Sequence, residues 1–247
     1  MNAAPADQIR LLDVQGLDVR LTQLAHRRET LPEHAEVRAL DSEIAQQRDL
    51  LVAARTEEGD TAREQAKAEQ DVDQVRQRSA RDQQRLDSGM VTNPKDLESL
   101  QSEIASLARR QDDLETIVLD IMERQETAGA RAKELAASVE ELEAKVAGAT
   151  ARRDAALTEI EAESDQVRAQ RAEAAATIPA DLLKLYEKLR EQQGGVGAAR
   201  LYQRACQGCR LELNITELNE VRAAAPDTVV RCENCRRILV RTPQSGL

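Results

Sequence analysis

The chain has 247 residues and a net charge of −10; 32% of its side chains are charged and 1% aromatic (Tyr186 and Tyr202), with no Phe or Trp. Globular cores draw on aromatic bulk, so this composition argues against a wide, rounded core, and its Ala, Glu, Arg, Gln and Leu point to long helices or coiled coil. No stretch approaches the roughly 18 apolar residues of a membrane span, and the opening MNAAPADQIRLLDVQG lacks the basic and apolar regions of a signal peptide. A cytoplasmic protein with reduced cysteines is expected.

The first apolar period runs Val14, Leu17, Leu21, Leu24, Arg28, Leu31, which is heptad spacing. Continued, it would use Ala35 and Arg38, but the next seam starts at Val37. The phase break falls at Pro32, which cannot continue a helical hydrogen-bond ladder, so a kink or restart is expected there. The second seam then passes through Val37, Leu40, Ile44, Gln47, Leu51, Ala54, Glu58, Thr61, Gln65, Ala68, Val72, Val75, Ser79, Asp82 and Leu86. Nine of these 15 positions are apolar, which makes this the weaker seam, especially from Glu58 to Gln65.

The stretch SGMVTNPKDLESL follows, with Gly89 suited to closing one helix and Pro94 to opening the next. Residues 88–95 are therefore a turn. From Leu97 to Ala174 a 3-4 spacing runs without a slip, and 18 of its 23 positions are apolar. Such a helix is on the order of 115 Å long and requires a partner. Two arms of roughly 80 residues around a short turn form an antiparallel hairpin; the rival, a parallel homodimer of one continuous helix, conflicts with the breakers at 89–94.

Past the hairpin, Pro179 opens a shorter helix carrying Leu182, Leu183, Leu185, Tyr186 and Leu189, and Gly194-Gly195 breaks it at a plausible hinge. Four strand-like pieces follow: GAARLYQ, RLELN, TVVRC and RRILVR. Asn214 to Glu217 has the form of a capping box opening a short helix to Ala223. The fold expected is mainly α: a long antiparallel coiled-coil helical hairpin over 1–178, then a linker helix and a small module with short β-strands over 179–247.

All four cysteines lie in the tail, as Cys206-x-x-Cys209 and Cys232-x-x-Cys235. Each C-x-x-C turn presents two thiolates, and two turns complete a tetrahedral shell of sulfur. The spacing fits a C4 zinc ribbon, and one structural Zn2+ would hold together a module too small to fold on burial alone. A thioredoxin-like motif would need one pair in a βαβ setting, and disulfides conflict with a reducing compartment. Iron suits four sulfurs as well as zinc does. With four sulfur ligands no position is open to water, so catalysis at the metal is not expected. Arg236 follows the second pair where many such knuckles place Gly, which implies strain.

TNPKDLESLQSEI, LPEHAEVRALDSEIA, IPADLLKLYEKLR and GGVGAARLY, followed by CQGCRLEL and CENCRRILV, together resemble the bacterial C4-type zinc-ribbon proteins with a long coiled-coil hairpin, the group of the chlamydial and Helicobacter proteins. The likeness spans nearly the whole chain and implies that Cys206, Cys209, Cys232 and Cys235 are metal ligands. The family pattern has Cys-Gly-Arg where this chain has Cys235-Arg236-Arg237. The resemblance also implies a nucleic-acid- or protein-binding factor, with RNA and alternative sigma factors among the partners.

Two functions are weighed on the residues. In the first, Arg200, Arg204, Arg210, Arg231, Arg236, Arg237 and Arg241 contact nucleic acid, since arginine suits phosphate. The charge is modest: from Arg200 to Arg241 there are eight Arg and five acids, +3 against −13 for the rest. A solvated surface explains the same residues. In the alternative the acidic hairpin is a protein–protein adaptor acting on a component of the transcription machinery such as a sigma factor. An enzyme has least support: His26 and His34 are far from the cysteines, and no phosphate-binding loop, nucleophile elbow or dinucleotide fingerprint occurs. Neither a membrane nor a small-molecule substrate is expected.

Overall fold

All 247 residues are described by a computed structural model. Three helices open on a proline: α1 (Pro5–Glu29), α2 (Pro32–Asp87) and α3 (Pro94–Ala176). Proline fits there because the first helical N–H has no partner in any case. The phase break thus becomes a restart at Pro32, and the turn at the tip spans residues 88–93. Next come α4 (Ala180–Gln192), β1 (Ala198–Tyr202), β2 (Ala205–Cys206), α5 (Ile215–Ala223) and β3 (Ile238–Val240). No helix is long and apolar enough to cross a membrane.

Two compact units emerge, Ala35–Thr150 and Met1–His34 with Ala151–Leu247. In the second of these, α1 packs with the ribbon's sheet and with α4.

In the first unit α2 and α3 run antiparallel. The ion pairs Arg48–Glu143, Arg76–Glu115 and Arg78–Glu103 show it, since one number rises as the other falls. Such solvent-exposed pairs contribute little, being screened by water and salt; the seam does more. Every expected α2 seam position from Val37 to Leu86 is buried or half-buried, with Leu51 and Ala54 against Ala132 and Val139 at the centre. The polar stretch is accommodated locally. Thr61 is buried and its hydroxyl donates to the carbonyls of Glu57 and Glu58. Glu58 lies beside Gly129, where a Cβ would come within 3.1 Å of its Oε1.

The second unit is layered about a three-stranded sheet of order β2-β1-β3, with β1 and β3 parallel and β1 and β2 antiparallel. One face carries Ala198, Ile238 and Val240 onto Leu11, Val14, Tyr186 and Leu189 of α1 and α4. The other carries Ala199, Leu201 and Leu239 onto Leu218 and Val221 of α5 and onto the cysteines. Burial on both faces explains why β3 is continuously apolar instead of alternating. RLELN and TVVRC make isolated bridges only, Ala205 to Glu212, Asn2 to Thr228 and Arg231 to Ile238.

Along α3 the heptad shifts after Ile160. Of the expected seam positions Val167 is buried and Glu163 half-buried, but Gln170 is exposed, while their neighbours Ser164 and Arg171 are buried and half-buried. Here α3 meets α4 as well as α1. A node of polar groups fills the junction. Asp18 accepts from Arg171 Nε at 2.9 Å and from the Tyr186 hydroxyl at 2.6 Å. Gln15 Oε1 accepts from the Gly197 N–H at 2.7 Å, and its Nε2 donates to Gly195 O. Gly194 and Gly195 adopt positive φ, and that tie makes the break a pinned turn.

Candidate metal centre and the ribbon surface

Each C-x-x-C pair closes a turn of the same design. The Arg210 N–H donates to Cys206 O at 2.7 Å and the Cys206 N–H to Leu211 O at 3.0 Å; Arg236 to Cys232 and Cys232 to Arg237 repeat both distances. This geometry requires a left-handed residue after the second cysteine, and Arg210 and Arg236 both stand at φ 61. The strain expected at Arg236 is therefore present, and Arg210 shares it. Replacing Arg236 by Gly, the residue of the family pattern, should raise ribbon stability by about 1 kcal/mol; thermal unfolding followed at ribbon amides tests this, and an unchanged or lower value means the turn is unstrained. Gly208 serves a different need, since a Cβ there would meet Arg237 Cδ at 2.8 Å and Ala199 Cβ at 2.9 Å.

The two turns bring all four sulfurs within 4.8 Å of one another. Cys206 Sγ lies 3.8 Å from Cys235 Sγ, and Cys209 Sγ 3.9 Å from Cys232 Sγ. A tetrahedral ion with bonds of about 2.3 Å has sulfur–sulfur edges of about 3.8 Å, so the thiols are spaced for one. Burial pushes the Cys206 thiol up to about 12, against the pull of the Cys209 and Gly208 N–H groups. Cys232 is raised by burial as well. At Cys235 burial also acts upward, but the Arg237 N–H and guanidinium and the neighbouring thiols outweigh it and bring the group down to about 7. A divalent cation is the natural counter-charge for such a buried set, because thiolates, not thiols, are the ligands.

The seven arginines separate into three sets. Arg237 donates to the carbonyls of Gln193, Val196 and Gly208, tying the second cysteine turn to the first and to the end of α4. Arg241 donates to the carbonyls of Val221, Ala224, Ala225, Pro226 and Thr228, closing the C-terminus of α5. Both are among the expected phosphate contacts, and here their guanidinium donors are engaged by backbone carbonyls. Arg231 is half-buried and donates to Arg236 O. Arg200, Arg204, Arg210 and Arg236 are exposed. Arg200 and the exposed Tyr202 alternate with buried Leu201 and so share one face of β1.

Two features were not legible beforehand. Gln203 and Arg204 form the two-residue turn joining β1 to β2, both with positive φ, where Asn-Gly is the usual signal. It is braced from outside: the Gln203 and Arg204 N–H groups donate to Gln244 and Ser245 carbonyls. The other is the Gln15–Asp18 node, hidden because its partners lie more than 150 residues away. His34 bonds only Arg28 O through its ring, and His26 is exposed; neither approaches a cysteine.

A helical hairpin followed by a small sheet that gathers four thiols defines a coiled-coil protein bearing a C4 ribbon. Residues 14–194 match the CT398-like coiled coil hairpin domain and residues 205–239 the C4-type zinc ribbon domain. The chain belongs to the CT398-like coiled-coil hairpin family, and its cofactor is one structural Zn2+. It is 38% identical over 241 residues to an uncharacterized protein of Mycobacterium tuberculosis, covering 98% of each. A solved structure from Mycobacterium smegmatis matches at TM-score 0.86 and 35% identity, over 98% of this chain and 100% of that one. The structure of CT398 from Chlamydia trachomatis shares the fold at TM-score 0.69 and 19% identity, covering 96% and 98%.

Proposed function

We propose that this is a non-enzymatic, cytoplasmic binding protein with a regulatory role, whose zinc ribbon contacts nucleic acid. Cys206, Cys209, Cys232 and Cys235 hold the Zn2+, and the metal's task is to fix the surface around it. Four sulfurs complete a tetrahedron and leave the ion no position for water.

The observation that carries this reading is the exposed group Arg200, Tyr202, Arg204 and Arg210 about the β1–β2 turn. Guanidinium groups bind phosphate oxygens in bidentate fashion, and an exposed aromatic ring gives a base a surface to stack on. Residues 35–150 hold 26 acidic and 16 basic side chains, a net −10, so the rest of the chain is neutral overall. An acidic arm repels nucleic acid, which leaves contact to the ribbon.

The test is the affinity of the full chain for single-stranded RNA and DNA oligonucleotides across a salt series. Arg200→Ala, Arg204→Ala and Arg210→Ala together should weaken binding of all sequences alike and lower the salt slope by about 2. An unchanged slope, or no binding at low salt by the parent protein, overturns the proposal.

A further inference from the structure

The hairpin arm carries a surface that the ribbon reading does not use. On α3, Leu119 is 66% and Met122 45% exposed. Three residues apart, they lie on one side of the helix. Two hollows along the α2–α3 seam meet at Leu119. One is floored by Val72 and Val118; the other runs past Met122 to Gly129, where the missing side chain leaves Glu58 at the groove. The result is an apolar strip open to solvent.

The rim is acidic. Glu69, Asp73 and Glu115 border the first hollow, and Glu58, Glu123 and Glu126 the second. Arg76 faces Glu115 and Asp73 in the first, and Lys133 lines the second. Across residues 57–73 and 115–133 there are 11 acids and 5 bases. A third hollow of the arm differs. It is lined by Leu50 and Ala53, with Arg124 and Arg131 among its acids, and Arg124 is paired with Glu64.

We propose that the Leu119–Met122 strip is a docking site for a basic amphipathic helix of a partner protein, laid along the arm as a third helix. Apolar side chains of the incoming helix at i, i+3 or i+4 and i+7 cover Val72, Val118, Leu119 and Met122, in the manner of helix-in-groove recognition. Its flanking Lys and Arg meet Glu58, Glu69, Glu123 and Glu126. Charge decides the occupant. A second copy of this chain would set one arm of net −10 against another, and nucleic acid would meet the same repulsion. A basic helix alone satisfies both the strip and its rim.

The probe is a synthetic Leu/Lys amphipathic helical peptide of three heptads, labelled and titrated with the full chain at 150 mM salt, with a Leu/Glu peptide of the same pattern as control. Binding of the basic peptide is expected to fall at least tenfold in Leu119→Gln/Met122→Gln. These side chains are exposed, so the fold is kept and unchanged circular dichroism verifies it. Leu50→Gln/Val52→Gln, also exposed, should bind like the parent. Equal loss in both variants, equal binding of both peptides, or no binding overturns the proposal. The Arg200→Ala, Arg204→Ala, Arg210→Ala variant should bind the peptide normally, which separates this site from the ribbon's.

Discussion

Replacing Cys235 by Ser should release the zinc and unfold the ribbon while the hairpin arm stays helical. The ribbon's own resources are small: a five-residue strand, a two-residue strand, a three-residue strand and a nine-residue helix. Metal-coupled folding in such modules is worth on the order of 10 kcal/mol, more than they retain from burial. Cys235 is half-buried, so Ser causes no clash and the loss reports on the ligand itself. Zinc content should fall from one per chain to none. Amide exchange should accelerate across residues 198–240, and α5 should lose protection. In α2 and α3, exchange from 35 to 150 should not change, because that unit has its own core at Leu51, Ala54, Ala132 and Val139. A ribbon that stays protected without metal would show that the sheet's packing on α1 and α4 is sufficient. That packing is the serious competitor, since Ala198, Ile238 and Val240 are fully covered by those helices.

Asp18→Ala should destabilise the same unit by about 3 kcal/mol, the low end for breaking a buried pair, because Arg171 and Arg190 remain 22% and 34% exposed. Asp18 is 3% exposed and joins three elements: its own helix, Arg171 on α3, and Tyr186 and Arg190 on α4. Removing it leaves the Tyr186 hydroxyl without its shortest bond and Arg171 with Glu187 alone. The hydrogen bond to Asp18 holds the Arg171 guanidinium above its ordinary value despite the opposing effect of burial, and burial together with Asp18 raises the Tyr186 phenol. Tyr186→Phe removes one donor and keeps the ring, so it should cost about 1–2 kcal/mol. The readout is amide exchange in α1 and α4. An Asp18→Ala protein with parental protection there would mean that apolar packing by Leu11, Val14 and Leu182 carries the junction alone.

How much was legible in advance follows from how far apart interacting residues lie. The heptad from Val37 to Leu86 maps onto buried or half-buried positions throughout because a coiled-coil seam is a local pattern: each residue's burial depends on a period read within its own helix. The restart at Pro32, the turn after Asp87, the Asn214–Glu217 capping box and the paired C-x-x-C turns are local in the same sense. Each is written in residues within a few positions of one another.

The remainder depended on contacts between distant segments. Two of four strand-like pieces became strands because β1 lies between partners on both sides, while RLELN and TVVRC only touch its neighbours. The turn at Gln203-Arg204 carries no sequence signal, and its left-handed backbone is held by carbonyls about 40 residues away. Arg237 and Arg241 looked like their neighbours until the fold supplied carbonyls for them. The α1 stripe of Val14, Leu17 and Leu21 gave no hint that Gln15 and Asp18 were buried beside it, since a helix with one partner buries one stripe and α1 has two. Sequence alone thus determined the hairpin, its turn and the four-sulfur ribbon, where the physics is periodic or confined to a tight turn. Tertiary structure decided which polar and cationic side chains belong to the fold and which remain free to bind. That choice turns on desolvation and on partners that only the folded chain brings within reach.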